Sequence, residues 1–434
     1  MPHARHALSA LLGPGLWVIA QVGPSSFAPA APPAYFEIEV LDRDTGRGIP
    51  LVELTTVHNV THVTDNAGRI AYPVLGRAGQ EIHFTIRAQG YRVPEDGFGF
   101  AGKRFHISTG GSAKLRLERV NLAERLYRCT GQDLYRDSIL LGHETPLRRP
   151  HGSGRVAGQD SIQAAIYRDK IRWFWGDTNR LSYPLGLFRT AGAVSELPAR
   201  GGLHPSRGID YIYFTNADGF ARAMADVSEK EGVVWIDGLC VVKDKDGHDR
   251  MVAHFSRRKG LAEELEHGLL VYDNEGDAFQ IAAPRPLDRQ WSNLAHHPVR
   301  IDKTHLGFGG PFPVTRVPAE FEAVLDPARY ESYSCRDPGG REPRRTKDGK
   351  VLWRWQGGPA TTQKDEWAWL QKGVIKPEET RLLPVDAADP NRRVLMHHGT
   401  VRWNPWRNRW IMIATESATA KGSPSFLGEV WYSE

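Results

Sequence analysis

The sequence predicts an all-β chain, a small N-terminal β-sandwich followed by a β-propeller, and three observations predict it. Short apolar/polar alternations bounded by Asp, Gly, Asn and Pro recur along the chain, the signature of antiparallel strands. After about residue 155 a hairpin-like unit repeats. With 44 Gly and 29 Pro in 434 residues, turns are favoured over long helices. Helical signal is confined to LAEELEHGL (261–269) and PAEFEAVLDPARY (318–330).

The first 34 residues read as a leader and linker. Arg5 precedes an apolar stretch from Ala7 to Val22, followed by small residues and prolines, the pattern of a secretory signal peptide. Gly13, Pro14 and Gly15 interrupt it, which argues against a membrane-spanning helix, and no other stretch is long and apolar enough to span. The expectation is an exported bacterial protein, secreted, periplasmic or on the cell surface.

Residues 35–120 form the first expected unit. FEIEVLD (36–42), LVELTTV (51–57), TDNAGRIAYPV (64–74), EIHFTIRAQGY (81–91) and AKLRLERV (113–120) are period-2 segments with turn residues between them. Their pattern, VLDxxTGxGIP, TDNAGR and IRAQGY, resembles the carboxypeptidase-regulatory or transthyretin-like β-sandwich of secreted bacterial proteins. That resemblance implies a non-catalytic spacer.

Residues 121–434 form the second. Four stretches share one plan: a polar residue, an apolar strand, a tight turn, and a return strand ending in small or polar residues. They are GQDSIQAAIYRDKIRWFWGDT from Gly158, WIDGLCVVKDKDGHDRMVAHFSR from Trp235, AHHPVRIDKTHLGFGGPFP from Ala295 and MHHGTVRWNPWRNRWIMIATES from Met396. From Asp160, Asp237 and His398 the return strand ends 17 or 18 residues on, at Asp177, His254 and Glu416. Four-stranded antiparallel sheets at this spacing read as propeller blades, with a many-stranded sandwich as the alternative. In a propeller the innermost hairpin of each blade begins and ends at one rim of the central channel. Asp160, Asp177, Asp237, His254, His296, His297, His398 and Glu416 would then converge from separate blades on one funnel.

Paired carboxylates facing each other across a cleft are what glycosidic bond cleavage requires, one as base or nucleophile and one as acid. The repeat architecture is similar to the five-bladed propeller glycosidases of the arabinanase and β-xylosidase type. FWGDTN also resembles the first-blade signature of a related family of uncharacterised secreted propellers, some of which cleave arabinan-type glycans. The resemblance implies Asp160 as base, Asp237 as the carboxylate that tunes, and Glu266 or Glu416 as acid, with Asp177 beside them. Arg180, Trp235, His267, His297 and His398 are the candidates for gripping a sugar. Each has a plainer reading. Asp160 and Asp177 can cap turns, Glu266 can belong to a solvated acidic face, and Arg180 can pair with a neighbouring acid. Trp173 and Trp175, two apart, share a face and read as core.

The same residues leave two other functions open. A polysaccharide lyase would use His or Tyr as base with Arg against a uronate, and a binding propeller would need aromatics without paired acids. Acids and histidines at a channel mouth can hold Ca²⁺, but no HxH or HExxH spacing supports a metal, and no cofactor is expected. No GxSxG, phosphate-binding glycine loop or dinucleotide fingerprint occurs. The net charge of +5 is modest, and GREPRRTKDGK (340–350) reads as a solvated loop, so nucleic acid is not an expected partner. The expected partner is a carbohydrate, and the expected state a monomer. Three widely spaced cysteines, Cys129, Cys240 and Cys335, read as buried free thiols rather than a disulfide framework or zinc site. The sequence ends on the apolar strand LGEVWYS with four repeats counted against five blades in the resembling enzymes, which suggests a missing last blade.

Overall fold

A computed structural model of the chain describes residues 34–225, 227, 231–288, 290–336, 342–417 and 427–434. The expected leader (1–33), the start of the basic run (340–341) and residues 425–426 of the terminal stretch lie outside them. No described helix is long and apolar enough to cross a membrane.

The N-terminal strands make two four-stranded sheets, one ordered Arg69–Pro73, Tyr35–Asp42, Ser112–Arg119 and Tyr91–Arg92. The other is ordered Thr61–Val63, Glu53–Thr56, Glu81–Arg87 and Gly102–His106. Alternation explains the packing. Phe36, Ile38 and Val40 point inward and join Leu54, Ile70, Tyr72, Phe84, Ile86, Leu115 and Leu117 in one core. Their neighbours Glu37 and Glu39 face out, and both pair with Arg69 at 2.9 Å. Each large side chain so buried contributes about 1.5–3 kcal/mol.

A linking stretch fastens this sandwich to the second unit. Arg125 donates to the carbonyls of Pro50 and Gln89. The Asn66 side chain exchanges two hydrogen bonds with the Arg128 backbone, at 2.9 and 3.0 Å. A short helix, Arg136–Leu140, offers the Ser138 N–H to the Asp65 carboxylate at 2.7 Å. Across the junction Arg47 donates to the carbonyl of Ser206 and Tyr127 to that of Pro205.

The second unit contains four antiparallel sheets in chain order. Sheet I comprises Gln163–Tyr167, Lys170–Trp175, Ala191–Glu196 and Ile212–Tyr213; sheet II comprises Val233–Lys243, Asp249–Lys259, Glu263–Asp273 and Ala278–Arg285. Sheet III has five strands between Val299 and Gln356, and sheet IV has three, Met396–Asn404, Arg409–Ser417 and Leu427–Ser433. A small sheet of Val156–Gln159, Thr178–Arg180 and Tyr183–Leu187 flanks sheet I.

In every one of the four, spatial order follows chain order, and successive sheets pack face to face as blades do. Tyr167 and Phe174 of sheet I bury against Val234, Ile236, Phe255 and Phe279 of sheet II. Cys240, Val252 and Leu269 of sheet II meet Leu306, Phe308 and Val317 of sheet III. Phe312 beside sheet III meets Met396, Met412 and Ala414 of sheet IV. The first hairpin turns at Arg168 and Asp169, both with positive φ (50° and 61°), the backbone that a two-residue turn needs to match strand twist.

Three local expectations are corrected. LAEELEHGL is not helical: Glu263–Asp273 is an inner strand of sheet II, since it pairs with a strand on each side. Its acids are neutralised across the strand pair, where Arg257 opposes Glu266 and Arg258 opposes Glu264. In PAEFEAVLDPARY only Phe321–Leu325 is α-helical, because Asp326-Pro327 turns the chain into a 3₁₀ segment, Pro327–Arg329. Of the thiols, Cys240 and Cys335 are buried but Cys129 is exposed.

Candidate functional site

The site grows from the inner hairpins. In sheet I the two ends of the first hairpin are tied together: the Asp160 N–H donates to the Asp177 carbonyl at 3.3 Å, and the Gly176 N–H donates to the Asp160 carbonyl at 3.0 Å. Asp160 is exposed, and Asp177 is half-buried. Asp177 Oδ1 accepts from the Trp235 indole N–H at 2.9 Å, so Trp235 of sheet II leans onto sheet I. A β-carbon on Gly176 would sit 3.0 Å from Asp160 Oδ1 and 3.5 Å from Trp235 Cδ1. Asp160, Asp177 and Trp235 therefore form one group.

Asp237, two residues beyond Trp235, is the hub. Gln163 of sheet I donates to its Oδ1 at 3.1 Å. Immediately after it the strand bulges at Gly238 (φ +63°), whose N–H donates to the His296 carbonyl at 3.1 Å and fastens sheet II to the lead-in of sheet III. The negative charge of Asp237 is felt by histidines of three different sheets. It opposes the downward shifts of His254, His297 and His398, which arise first from burial and then from His267, Arg402 and His397 respectively.

Behind Asp237 lies a histidine pair. His254, its cross-strand partner, contacts His267 Nδ1 through Nε2 at 3.3 Å, and His267 Nε2 lies 2.8 Å from the Pro286 carbonyl. A carbonyl only accepts, so His267 carries its proton on Nε2 and leaves Nδ1 as an acceptor. Asn293 Nδ2 and the Nε2–H of His254 share that acceptor. The assignment follows from the hydrogen-bond partners, and it leaves His254 Nδ1 unprotonated. Burial, aided by His267, pushes the His254 imidazolium down to about 4, so the ring is neutral at neutral pH.

Next to this group is a cavity of about 220 Å³. It is lined by Gln163 to Ile166 of sheet I, Leu239 to Val241 of sheet II, His297, Arg300 and Leu306 at sheet III, and Arg402 of sheet IV. One cavity shared by the first strands of four sheets is the geometry of a propeller channel. His296 and His398 lie near it with ring centres 5.4 Å apart and planes tilted by 47°. Gly310 makes room for them, since a β-carbon there would come within 2.7 Å of the His296 ring.

Of the residues nominated from sequence, Asp160, Asp177, Trp235, Asp237, His297 and His398 gather here, and His267 stands behind His254. The others have different partners. Glu266 is ion-paired with the buried Arg257 at 2.9 Å. Glu416 accepts from Arg392 at 3.0 and 3.1 Å and from the Trp431 indole at 3.0 Å. Arg180 pairs with Asp218 at 3.0 Å and lies 4.0 Å over the Phe220 ring. Trp175 is buried and Trp173 half-buried, both edge-on to Tyr211.

Sequence reasoning did not single out Gln163, Arg300 or Arg402. A signal was present: HHPVR (296–300) and HHGTVR (397–402) are the same motif, one residue longer in the second copy. A register shift between Met396 and Gly399 absorbs the extra residue. The one cluster of His and acidic ligand atoms within 4.8 Å of one another among the described residues is Asp244, Asp246 and His248. It lies in the turn after Lys243 rather than at the channel. A larger cavity of about 430 Å³, lined by Trp173, Ile209 and Pro205 among others, lies elsewhere and includes none of the channel group.

No family model and no curated protein matches this chain. Two solved structures resemble it at a distance. An endo-arabinase from Bacteroides thetaiotaomicron VPI-5482 aligns over 90% of this chain and 96% of its own, at 9% identity and a TM-score of 0.29. A GH43 β-1,3-galactosidase with galactodeoxynojirimycin aligns over 61% and 90%, at 10% identity and a TM-score of 0.23. At these TM-scores the likeness gives no residue a role.

Proposed function

We propose that this chain is an exported glycan-active enzyme, hydrolase-like, whose chemistry centres on Asp237 and Asp160 at the channel mouth. The observation that carries it is the meeting at Asp237 of three sheets: Gln163 of sheet I donates to its Oδ1 at 3.1 Å, His254 stands opposite it in sheet II, and the adjacent Gly238 N–H binds the His296 carbonyl in the lead-in to sheet III. Asp160 supplies the second carboxylate, and Asp177 is held by the Trp235 indole beside it. Glycosidic cleavage needs such a pair, with one group donating a proton to the leaving oxygen. Trp235 offers a partly open indole face at the same place, suited to a sugar ring.

A second reading, β-elimination from a uronate, is motivated by the histidines His254, His297 and His398 around Asp237, whose pKa values burial lowers. One assay separates the two. A glycan panel is followed for new reducing ends and for the ultraviolet absorbance of unsaturated products, with Asp160→Asn and Asp237→Asn alongside. Hydrolysis gives reducing ends alone, and each variant is expected to lose at least about 100-fold in rate. Full activity in both variants would remove the carboxylates from the mechanism, and unsaturated product would establish elimination.

A further inference from the structure

We propose that the channel takes an anionic sugar unit, bearing a carboxylate or a sulfate ester, gripped by Arg300 and Arg402. This deepens the proposed function and rests on the channel being its binding site. The twelve residues lining the channel cavity include two arginines and no carboxylate. The two guanidinium groups reach it from different sheets, Arg300 on the strand Val299–Arg300 and Arg402 on Met396–Asn404.

Arg402 is placed by backbone carbonyls alone: its Nη1 donates to His297 at 3.1 Å and to Val401 at 3.0 Å. Its remaining N–H groups have no acceptor among the described residues. Arg300 has neither an ion pair nor a hydrogen bond from its side chain there. On the same sheets Arg257 is matched by Glu266 and Arg316 by Glu331, while Arg285, like Arg402, donates to backbone carbonyls. Arg300 and Arg402, both exposed to solvent, line the cavity with no anionic partner among the described residues. Their charge acts inward. Arg402 adds to the downward shift of His297, and Arg300 works against the burial that pushes the Cys240 thiol up; His297 and Cys240 both line the cavity.

The chemistry that satisfies this arrangement is a planar or tetrahedral oxyanion accepting from two guanidinium forks. At about 220 Å³ the cavity suits a single sugar unit rather than a stretch of chain. Asp237, held at 3.1 Å by the cavity-lining Gln163, then lies beside the gripped unit, and His297, its pKa lowered by burial, leaves the two arginines as the cavity's positive charge.

The test measures equilibrium binding of the full chain to polygalacturonate, to a sulfated galactan and to neutral arabinan, at low and at raised salt. Arg300→Gln, Arg402→Gln and Arg402→Lys are run beside it, with thermal melts confirming that each is folded. We expect one or both acidic polymers to bind, arabinan to bind at least tenfold more weakly, and salt to weaken the acidic complex. Each Gln variant should lose about tenfold, with Arg402→Lys recovering part of it. Whether polygalacturonate or the sulfated polymer is preferred identifies the anion. Equal binding of arabinan, unchanged affinity in both Gln variants, or no binding to any of the three overturns the proposal. Arginine-dependent binding without cleavage would uphold it and count against the proposed enzyme activity. Cleavage of neutral glycans untouched by the Gln variants would do the reverse.

Discussion

The His254 ring has a thermodynamic consequence that a pH titration reads directly. Its folded-state value is about 4 against an ordinary 6.5, lowered by burial and by His267 and held up in part by Asp237 and Glu264, with Arg285 adding to the lowering. Between those two values the unfolded chain binds a proton that the native state refuses. Stability therefore falls as pH drops from about 6.5 towards about 4, and this group contributes no slope above that window. The loss is on the order of 1–3 kcal/mol. Urea unfolding at neutral pH and near pH 5 checks it: His254→Gln should show a smaller acid loss than the parent, and an identical loss would assign the slope to other groups. Among single residues, Asp237 stands out in sequence because an acid in the apolar run VVWIDGLCVV faces a desolvation cost unless something holds it, and in the structure Gln163 does. Glu266 was misjudged for the opposite reason. Its partner Arg257 is nine residues away in sequence and directly opposite in space, a relation fixed only once the strands pair.

Elements were read well where period and turn chemistry agreed, and poorly where composition spoke alone. YRDK between two alternating runs is a hairpin in both sequence and structure. LAEELEHGL carries strong helix formers, yet pairing on both sides outweighs propensities worth tenths of a kcal/mol per residue. The helix Gln363–Gln371 has a capping box, Thr362 with Asp365, but little separation of apolar and polar faces, so its sequence sends a weak signal. The bulge at Gly238 is the element on which the site depends. A β-carbon there would meet Leu294 at 2.6 Å and would also have to adopt a positive φ. Gly238→Ala is expected to cost about 1–3 kcal/mol and to disturb the Asp237–Gln163 contact. A lowered melting temperature with reduced glycan binding is the expected result, and a neutral substitution would show that the bulge relaxes without consequence.

At the scale of the whole molecule, order along the chain was legible in sheets I to IV because each runs in chain order, interrupted in sheet I by Thr178–Arg180 and Tyr183–Leu187, and each repeat restates the same hairpin. What sequence could not supply was which residues of different repeats meet, since the channel belongs to no single repeat. The junction between the sandwich and sheet I is likewise a tertiary product: Asn66, Asp65 and Arg47 of the sandwich bond to the stretch beyond residue 121 or the loop before Ile212, and Arg125 of that stretch reaches back to the Pro50 carbonyl. Asn66→Ala removes both bonds to the Arg128 backbone and should cost about 1 kcal/mol, measured by denaturant unfolding. The exposed Cys129 is the next residue along, and the other two thiols are shut inside, Cys240 with its thiol pushed up to about 12. A mild thiol reagent applied to the folded protein therefore finds one address in three. That selectivity makes Cys129 a native attachment point for a fluorophore or spin label, with no engineered cysteine and none removed. The labelling rate should rise in Asn66→Ala if the junction loosens, and an unchanged rate would show that it does not.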